Sequence, residues 1–544
     1  MFPETYIRKC EKAEEIQRLW EPKFGDFVYG VPDSNGELGV SVVLDTDYFD
    51  YVEEKIIRVA VADIGDEREL SFEWWEKEKI SRQKAKLYRR KIFKKVKKTF
   101  LDYKQILILT GVRRVGKTRL ILEFLRDKDL YFFVNKNKQS TELLKEYERI
   151  LKSKRIINDF ETLNTWNDFF EILFERYRGC VCFDEFQNFT QVERKIFGIL
   201  QNYIDIHEHR KDLLFIFTGS TVGLVKRLFL DSKEPLYGRL KRKLNLQPMS
   251  FYNISEMCKS MGIRDMERVI QLYSIFGGFP KYYVSIEDEN LESASFEEML
   301  NRFFFMDNAV FEEEVMSVLS LEFGKRSGIY YDILSAVASG CTRISEIASF
   351  LRKKETAITR QIDELINYFG FLGYEEQVVG RKKILLITHP LLNFWFRFFF
   401  KDLSAYKRRD RMFMEKIRNE INSYIGSRFE YICKEILFEW NKLQGFPFSF
   451  QKLGKQWGKI PKAKPGENTY EIDIVGLNDQ TKQILFAECK WQEKLNPKPI
   501  LESLIEKSGY VQWHNENRRE YFAIFAKSFS KKPKDFEGRP VYCF

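Results

Sequence analysis

The segment ILILTGVRRVGKTRLILEFL, residues 106–125, constrains this chain's fold more than any other. An apolar run, Ile106 to Leu109, leads into G-x-x-x-x-G-K-T at Gly111 to Thr118, and a helical pattern begins at Lys117. Strand, glycine loop and helix in that order form a phosphate-binding P-loop. Gly111 and Gly116 permit the tight turn whose amides surround phosphate oxygens, and the helix directs the positive end of its dipole at them. The cradle is Gly111, Val112, Arg113, Arg114, Val115, Gly116, Lys117, Thr118 and Arg119. Lys117 is expected at the β- and γ-phosphates and the Thr118 hydroxyl on Mg²⁺, so the expected cofactors are ATP and Mg²⁺.

Further apolar runs come next: LYFFVN, CVCFDE and LLFIFTG, with helical patterns after them. Strands that read as continuous apolar runs between helices indicate a parallel sheet covered on both faces. The third run ends in Asp184-Glu185. Asp184 is expected to hold Mg²⁺ through its water shell and Glu185 to polarise the attacking water, which favours hydrolysis over storage. The fourth ends in Thr218-Gly219-Ser220, where Ser220, preferred over Thr218, is placed to sense the γ-phosphate. Cys180 and Cys182 share a strand face; with four His in the chain they read as buried free thiols rather than a metal site.

Taken together, GVRRVGKT, the DEFQ carboxylates, the FTGS strand end, PLYGRL (Pro235 to Leu240) and GGFPKYY (Gly277 to Tyr283) resemble the archaeal-type ATPases of the STAND branch of AAA+-related NTPases. The likeness runs from about residue 85 to the C-terminus and implies a nucleotide-dependent switch. By it, Arg239 approaches the γ-phosphate, although its surroundings in sequence suit a surface arginine equally. Gly278-Phe279-Pro280 resembles the turn that couples nucleotide to the next helical module.

Near the C-terminus, QILFAECKWQEK places Glu488 and Lys490 two residues apart at the end of an apolar strand. This resembles the E-x-K half of a PD-(D/E)XK nuclease site. TYEIDIVGLNDQ supplies the other half: Asp473 on a strand, then a turn at Asn478-Asp479, giving D-x14-E-x-K. Glu430, on a long helical stretch, matches the acid that this fold often contributes from its first helix. The resemblance implies Asp473 and Glu488 as Mg²⁺ ligands, Glu430 completing the shell, and Lys490 orienting the attacking water. Glu471 is a further candidate ligand. A Glu-x-Lys pair also occurs as a plain surface ion pair, so a scaffold without cleavage is the rival reading.

Length and charge frame these sites. The 544 residues suit roughly three or four domains, and 31% charged with 44% hydrophobic residues is a globular composition. The expected class is α/β multidomain. Residues 1–75 form a small α+β appendage, 76–104 a basic helical linker, 105–250 the P-loop ATPase sheet and 251–324 a helical lid. Residues 325–400 form a winged helix-turn-helix, and 415–544 the PD-(D/E)XK nuclease-like domain. In the winged-helix segment, Arg352, Lys353, Lys354 and Arg360 gather around the start of the second helix, which suits a DNA-reading helix or an interdomain lever. The net charge of +10 and the basic run Arg82 to Lys98 favour nucleic acid, DNA first, as a partner. Nucleotide-dependent self-association or a protein partner is also expected. The charged start of the chain lacks a secretory pattern, and LLNFWFRFFF (Leu391 to Phe400) is about half a membrane span. A cytoplasmic protein without a membrane partner is the expectation.

Overall fold

The computed structural model describes residues 27–32, 38–42, 105–210, 212–219, 227–240, 242–323, 328–443, 445–464 and 467–544. The basic run from Arg82 to Lys98 and the candidate sensor Ser220 lie outside these residues. Two compact units are present, Met1–Trp75 and Glu76–Phe544. In the first, β1 (Phe27–Pro32) and β2 (Leu38–Val42) form an antiparallel hairpin with an irregularity between Tyr29 and Val31.

The described residues of the second unit form two larger sheets and a two-stranded hairpin. The first is all-parallel, in the order β4 (Leu130–Phe133), β5 (Gly179–Asp184), β6 (Leu213–Gly219), β3 (Gln105–Thr110) and β7 (Arg242–Asn245). Its strands alternate between two apolar layers. Ile106, Ile108, Val181, Phe183, Phe215 and Phe217 enter an aromatic core with Tyr147 and Phe169, whereas Leu107, Leu109, Cys180, Cys182 and Ile216 pack with Ile121. Ile121 belongs to α1 (Lys117–Phe124), so the glycine loop leads directly into the helix that covers this second layer. Phe183 is fully buried and stacks on Phe132 and Phe217 at centroid distances of 5.3 and 5.8 Å. Burying such a ring contributes roughly 2–3 kcal/mol. Both cysteines are free thiols, and burial raises them above the ordinary thiol range. β7 was not expected: its sequence, RKLN, is largely exposed at the sheet edge and carries no apolar run.

Helices follow the sheet: Phe251–Ser260, Met266–Phe276, Pro280–Asp288 and Glu314–Phe323. Three short helices come next, Gly328–Ala338, Ile344–Phe350 and Thr359–Asp363, and then the antiparallel hairpin β8 (Leu372–Glu376) and β9 (Lys383–Ile387). Two π-helical turns interrupt the α geometry, at Asn301–Phe305 and at Glu364–Tyr368. Leu391 to Phe400 supplies the buried helix Pro390–Phe398, and no helix among the described residues is long and apolar enough to cross a membrane.

A helix of 32 residues, Arg411–Lys442, then leads into the second sheet. Its order is β10 (Lys452–Lys459), β11 (Thr469–Asn478), β12 (Gln483–Lys490), β13 (Arg519–Ala526), β15 (Arg539–Cys543) and β14 (Asp535–Phe536). β10, β11 and β12 form an antiparallel meander, and β13 returns parallel to β12 after the helix Pro497–Gly509. The Asn478 carboxamide oxygen accepts from the amides of Gln480 and Thr481, which closes the turn between β11 and β12.

Candidate active site

The glycine loop has the conformation that phosphate binding needs. Arg114 and Gly116 are left-handed, with φ of 71° and 100°, and a Cβ on Gly111 would lie 2.6 Å from the Leu246 carbonyl oxygen. The Lys117 ammonium donates to the carbonyls of Gly111 at 2.8 Å and Val112 at 3.2 Å, so it lies folded over the loop. Burial lowers its pKa, while the nearby Glu185 and Asp184 carboxylates work in the other direction. The Thr118 hydroxyl donates to Asp184 at 2.8 Å. Asp184 Oδ2 also accepts from the Tyr131 hydroxyl at 2.8 Å, a partner that no motif announces; Tyr131 sits opposite Cys182 in the β4–β5 ladder. Glu185 occupies a left-handed position with φ of 55° just past β5, and the Gln187 side-chain Nε2 donates to its carboxylate. Lys117, Thr118, Asp184 and Glu185 are thus brought together at one end of the parallel sheet. Their arrangement, a buried ammonium beside a hydroxyl–carboxylate pair and an open loop of amides, fits a nucleotide triphosphate with Mg²⁺.

Arg239 is placed differently from its expected role. Its guanidinium forms a two-pronged pair with Asp205, at 2.8 and 2.7 Å, and donates to the carbonyls of Pro235 and Tyr237. The helix Ile196–Ile206 that carries Asp205, not the glycine loop, holds this arginine.

The remaining loop residues connect outward. Arg113 pairs with Glu322 at 3.1 Å and Arg114 with Glu314 at 2.9 Å, both on the helix Glu314–Phe323. Glu314 also takes Lys281, which follows the Gly278-Phe279-Pro280 turn, at 2.9 Å. A Cβ on Gly370, just past the second π turn, would lie 3.7 Å from Val112 Cγ1. Asp363, Glu364, Asn367 and Tyr368 line a cleft of about 460 Å³ together with Arg227 and Asp231 of the ATPase layer. Arg119 pairs with Glu123 on the exposed face of α1.

The second constellation forms where β12 ends, beside the middle of β11. The Ile474–Ala487 pairing, continued by one residue, sets Asp473 opposite Glu488. The Asp473 carboxylate accepts from the Cys489 amide at 2.8 Å and lies 3.6 Å from Lys490 Nζ, which is 2.7 Å from Glu488. Glu430, from the long helix, offers an oxygen within 4.8 Å of donor oxygens on Glu471 and Asp473. The four expected residues and Glu471 therefore converge, but the carboxylates divide into two sets. Glu430, Glu471 and Asp473 form one, and Glu488 is held by Lys490 and, at 2.7 Å, by Lys507 from the helix Pro497–Gly509.

Two lysines here were not anticipated. Lys507 is one; Lys455 on β10 is the other, at 3.0 Å from Glu430 and 2.6 Å from Glu471. Lys455 stands in KLGKQWGK, a polar strand without a motif, and Lys507 in an ordinary helix, so neither signals its role in sequence. Burial, with the charges of Glu488 and Glu430, pushes the Asp473 carboxyl up to about 7. Burial also raises Glu430 against the pull of Lys455. Burial opposes ionisation of Glu488 too, but Lys490 and Lys507 outweigh it and hold the group below its ordinary value. Three hard oxygen donors this close, with ammonium groups already among them, make a donor set that fits a divalent cation.

Residues 103–255 match the profile of the AAA domain family, and residues 395–500 match DUF234, described as archaea bacterial proteins of unknown function. The chain therefore carries an AAA-type P-loop ATPase domain followed by a domain of that second family. A protein of Methanocaldococcus jannaschii, MJECL04, described as uncharacterized, is 27% identical over 435 residues, 79% of this chain and 92% of the relative. Among solved structures, the Walker-type ATPase PABY2304 of Pyrococcus abyssi is 22% identical, with a TM-score of 0.47 over 57% of this chain and 95% of its own. The ORC2 protein of Aeropyrum pernix, in its ADPNP–ADP complexes, is 13% identical with a TM-score of 0.40, covering 63% of this chain and 96% of its own.

Proposed function

We propose that this protein is an ATP-binding and ATP-hydrolysing switch that controls a Mg²⁺-dependent nuclease-like site acting on nucleic acid, DNA first. The observation that carries the second half is the convergence of Asp473 in β11, Glu488 and Lys490 at the end of β12, and Glu430 on the long helix, inside a helix, three-strand meander, helix, strand arrangement. In this reading Glu430, Glu471 and Asp473 hold the cation, with the Glu488 oxygen that now faces Lys507 joining them once Lys507 turns away. When bound, a divalent cation supplies Lewis-acid polarisation of a phosphodiester. Lys490, already between Asp473 and Glu488, orients the attacking water and stabilises negative charge that develops on it. At the other site Lys117 binds phosphate oxygens, Thr118 and Asp184 hold the nucleotide's Mg²⁺, and Glu185 orients the water. Residues 325–400 serve as a winged helix acting as an interdomain lever. The nearness of Gly370 to Val112 supports that role over groove reading, as does the cleft that Asp363 and Glu364 line together with Arg227 and Asp231.

A cleavage assay tests the reading, using single- and double-stranded DNA and RNA, Mg²⁺ or Mn²⁺, with and without ATP. Metal-dependent cutting that disappears in Lys490→Ala while ATP turnover persists is the expected result. Intact ATP turnover without cutting on any substrate defeats the nuclease half and leaves a switch with a nuclease-type scaffold. Lys117→Ala is expected to abolish ATP turnover in either case.

A further inference from the structure

The hairpin loop between β8 and β9, the wing of the proposed winged helix, is built into the C-terminal domain. Val378 enters the hydrophobic core formed by Ile472, Phe486 and Leu504, and its amide donates to the Lys455 carbonyl at 3.3 Å. On the next residue the Val379 amide donates to Gln456 Oε1 at 2.8 Å, and Gln456 Nε2 returns a bond to the Val379 carbonyl at 3.1 Å. The Gln377 side chain donates to the Trp457 carbonyl. Three successive residues of β10 are therefore gripped by three successive residues of the loop. From this gripped segment the Lys455 side chain runs to Glu430 and Glu471, with its ammonium 3.0 and 2.6 Å from their carboxylates. Those two acids and Asp473 are the set whose donor atoms lie within 4.8 Å of one another. An ammonium and a divalent cation cannot both occupy so small a space, because like charges a few ångströms apart in a partly buried site repel strongly.

We propose that Lys455 is the positioning residue through which the wing governs cation binding: its ammonium occupies the place of a divalent cation between Glu430 and Glu471, and the wing's grip on β10 keeps it there. This rests on the reading of the acids as a metal site. Entry of the metal is then an exchange, in which Lys455 turns away as the loop loosens. The wing residues never touch the acids and act only by fixing the strand that carries the lysine.

Mn²⁺ binding to the full chain without nucleotide, measured by titration calorimetry at pH 8, tests this together with its premise. Lys455→Met is expected to bind Mn²⁺ about tenfold or more tightly than wild type, since it removes the competing charge. Lys455→Arg, which keeps that charge, is expected to stay near wild type. Gln456→Ala, which keeps the Lys455 side chain and its charge but releases two bonds to the wing, is expected to tighten binding several-fold. Asp473→Asn removes a ligand and is expected to bind none. Equal affinity in wild type, Lys455→Met and Gln456→Ala, with binding still lost in Asp473→Asn, overturns the role of Lys455 and leaves the metal site standing. Absence of Mn²⁺ binding in every protein, Lys455→Met included, overturns both. Should Lys455→Met fail to fold, Gln456→Ala decides alone: tightening supports the proposal and unchanged affinity overturns it.

Discussion

Asp473 carries a stability cost that depends on pH. Its folded-state pKa of about 7 lies above the ordinary aspartate value of 3.8, so the folded protein favours the protonated form more than the unfolded chain does. The contribution is fully favourable below about pH 4 and is lost as the pH rises through 7. Asp473→Asn, which keeps an oxygen for the Cys489 amide, is therefore expected to stabilise the metal-free protein by on the order of 2 kcal/mol at pH 8 and by little at pH 4. Urea unfolding at the two pH values checks this. At the other site Glu185→Gln keeps shape but not charge; nucleotide affinity is expected to hold while ATP turnover falls roughly 100-fold or more. Asp184, Glu185 and Glu488 were legible because each stands at the end of an apolar strand, and Asp473 because its spacing to Glu488 completes a motif. Lys455, Lys507 and Tyr131 were not, since each acquires its role from a neighbouring strand or helix far away in sequence.

Among the elements, the turn after the helix Met266–Phe276 is the most tightly constrained. Gly277 has φ of 54°, and a Cβ there would lie 2.6 Å from Pro390 Cγ. A Cβ on Gly278 would come within 1.9 Å of the Met249 carbonyl oxygen, and the Met249 amide donates to the Gly278 carbonyl at 2.8 Å. Gly278→Ala must push apart two hydrogen-bonded backbones, and a loss of about 3 kcal/mol or more is expected, read as a lowered melting temperature. The glycines were visible in GGFPKYY; their packing against Met249 and Pro390 was not, because it joins segments that sequence cannot bring together. The parallel sheet was legible for the opposite reason: β3, β5 and β6 lie inside it, buried on both faces, and so are apolar at nearly every position, and β4 is apolar as well. β7 escaped because an exposed edge strand needs no such pattern.

For the whole molecule, a series of ion pairs, close approaches and hydrogen bonds runs from the glycine loop toward the acidic set. Arg113 and Arg114 hold the helix Glu314–Phe323, Gly370 lies close to Val112, and the hairpin beyond Gly370 grips β10. The long helix is tied at adjacent residues, Lys434 to Glu375 of β8 at 2.6 Å and Glu435 to the Tyr273 hydroxyl at 2.8 Å. Two sites that bias one connecting element must affect each other equally in binding free energy. A non-hydrolysable ATP analogue is thus expected to change Mn²⁺ affinity at the acidic set, and Mn²⁺ to change analogue affinity by the same factor. Calorimetry in both orders checks it; a change in one direction only would show that the titrations report separate events. None of this connection was visible in the motifs, which fall at its two ends.

The π turn at Glu364–Tyr368 makes that connection forgiving in one respect. A π turn is an α-helix carrying one surplus residue, absorbed in the width of the turn: the Phe369 amide reaches the Glu364 carbonyl five residues back rather than four, at 2.9 Å. Were one residue lost between them, the same two positions could bond in regular α geometry, and the chain leading to Gly370 would leave the helix facing as it does now. Length can drift here by a residue without redirecting the chain, whereas Gly277 and Gly278 leave no such slack.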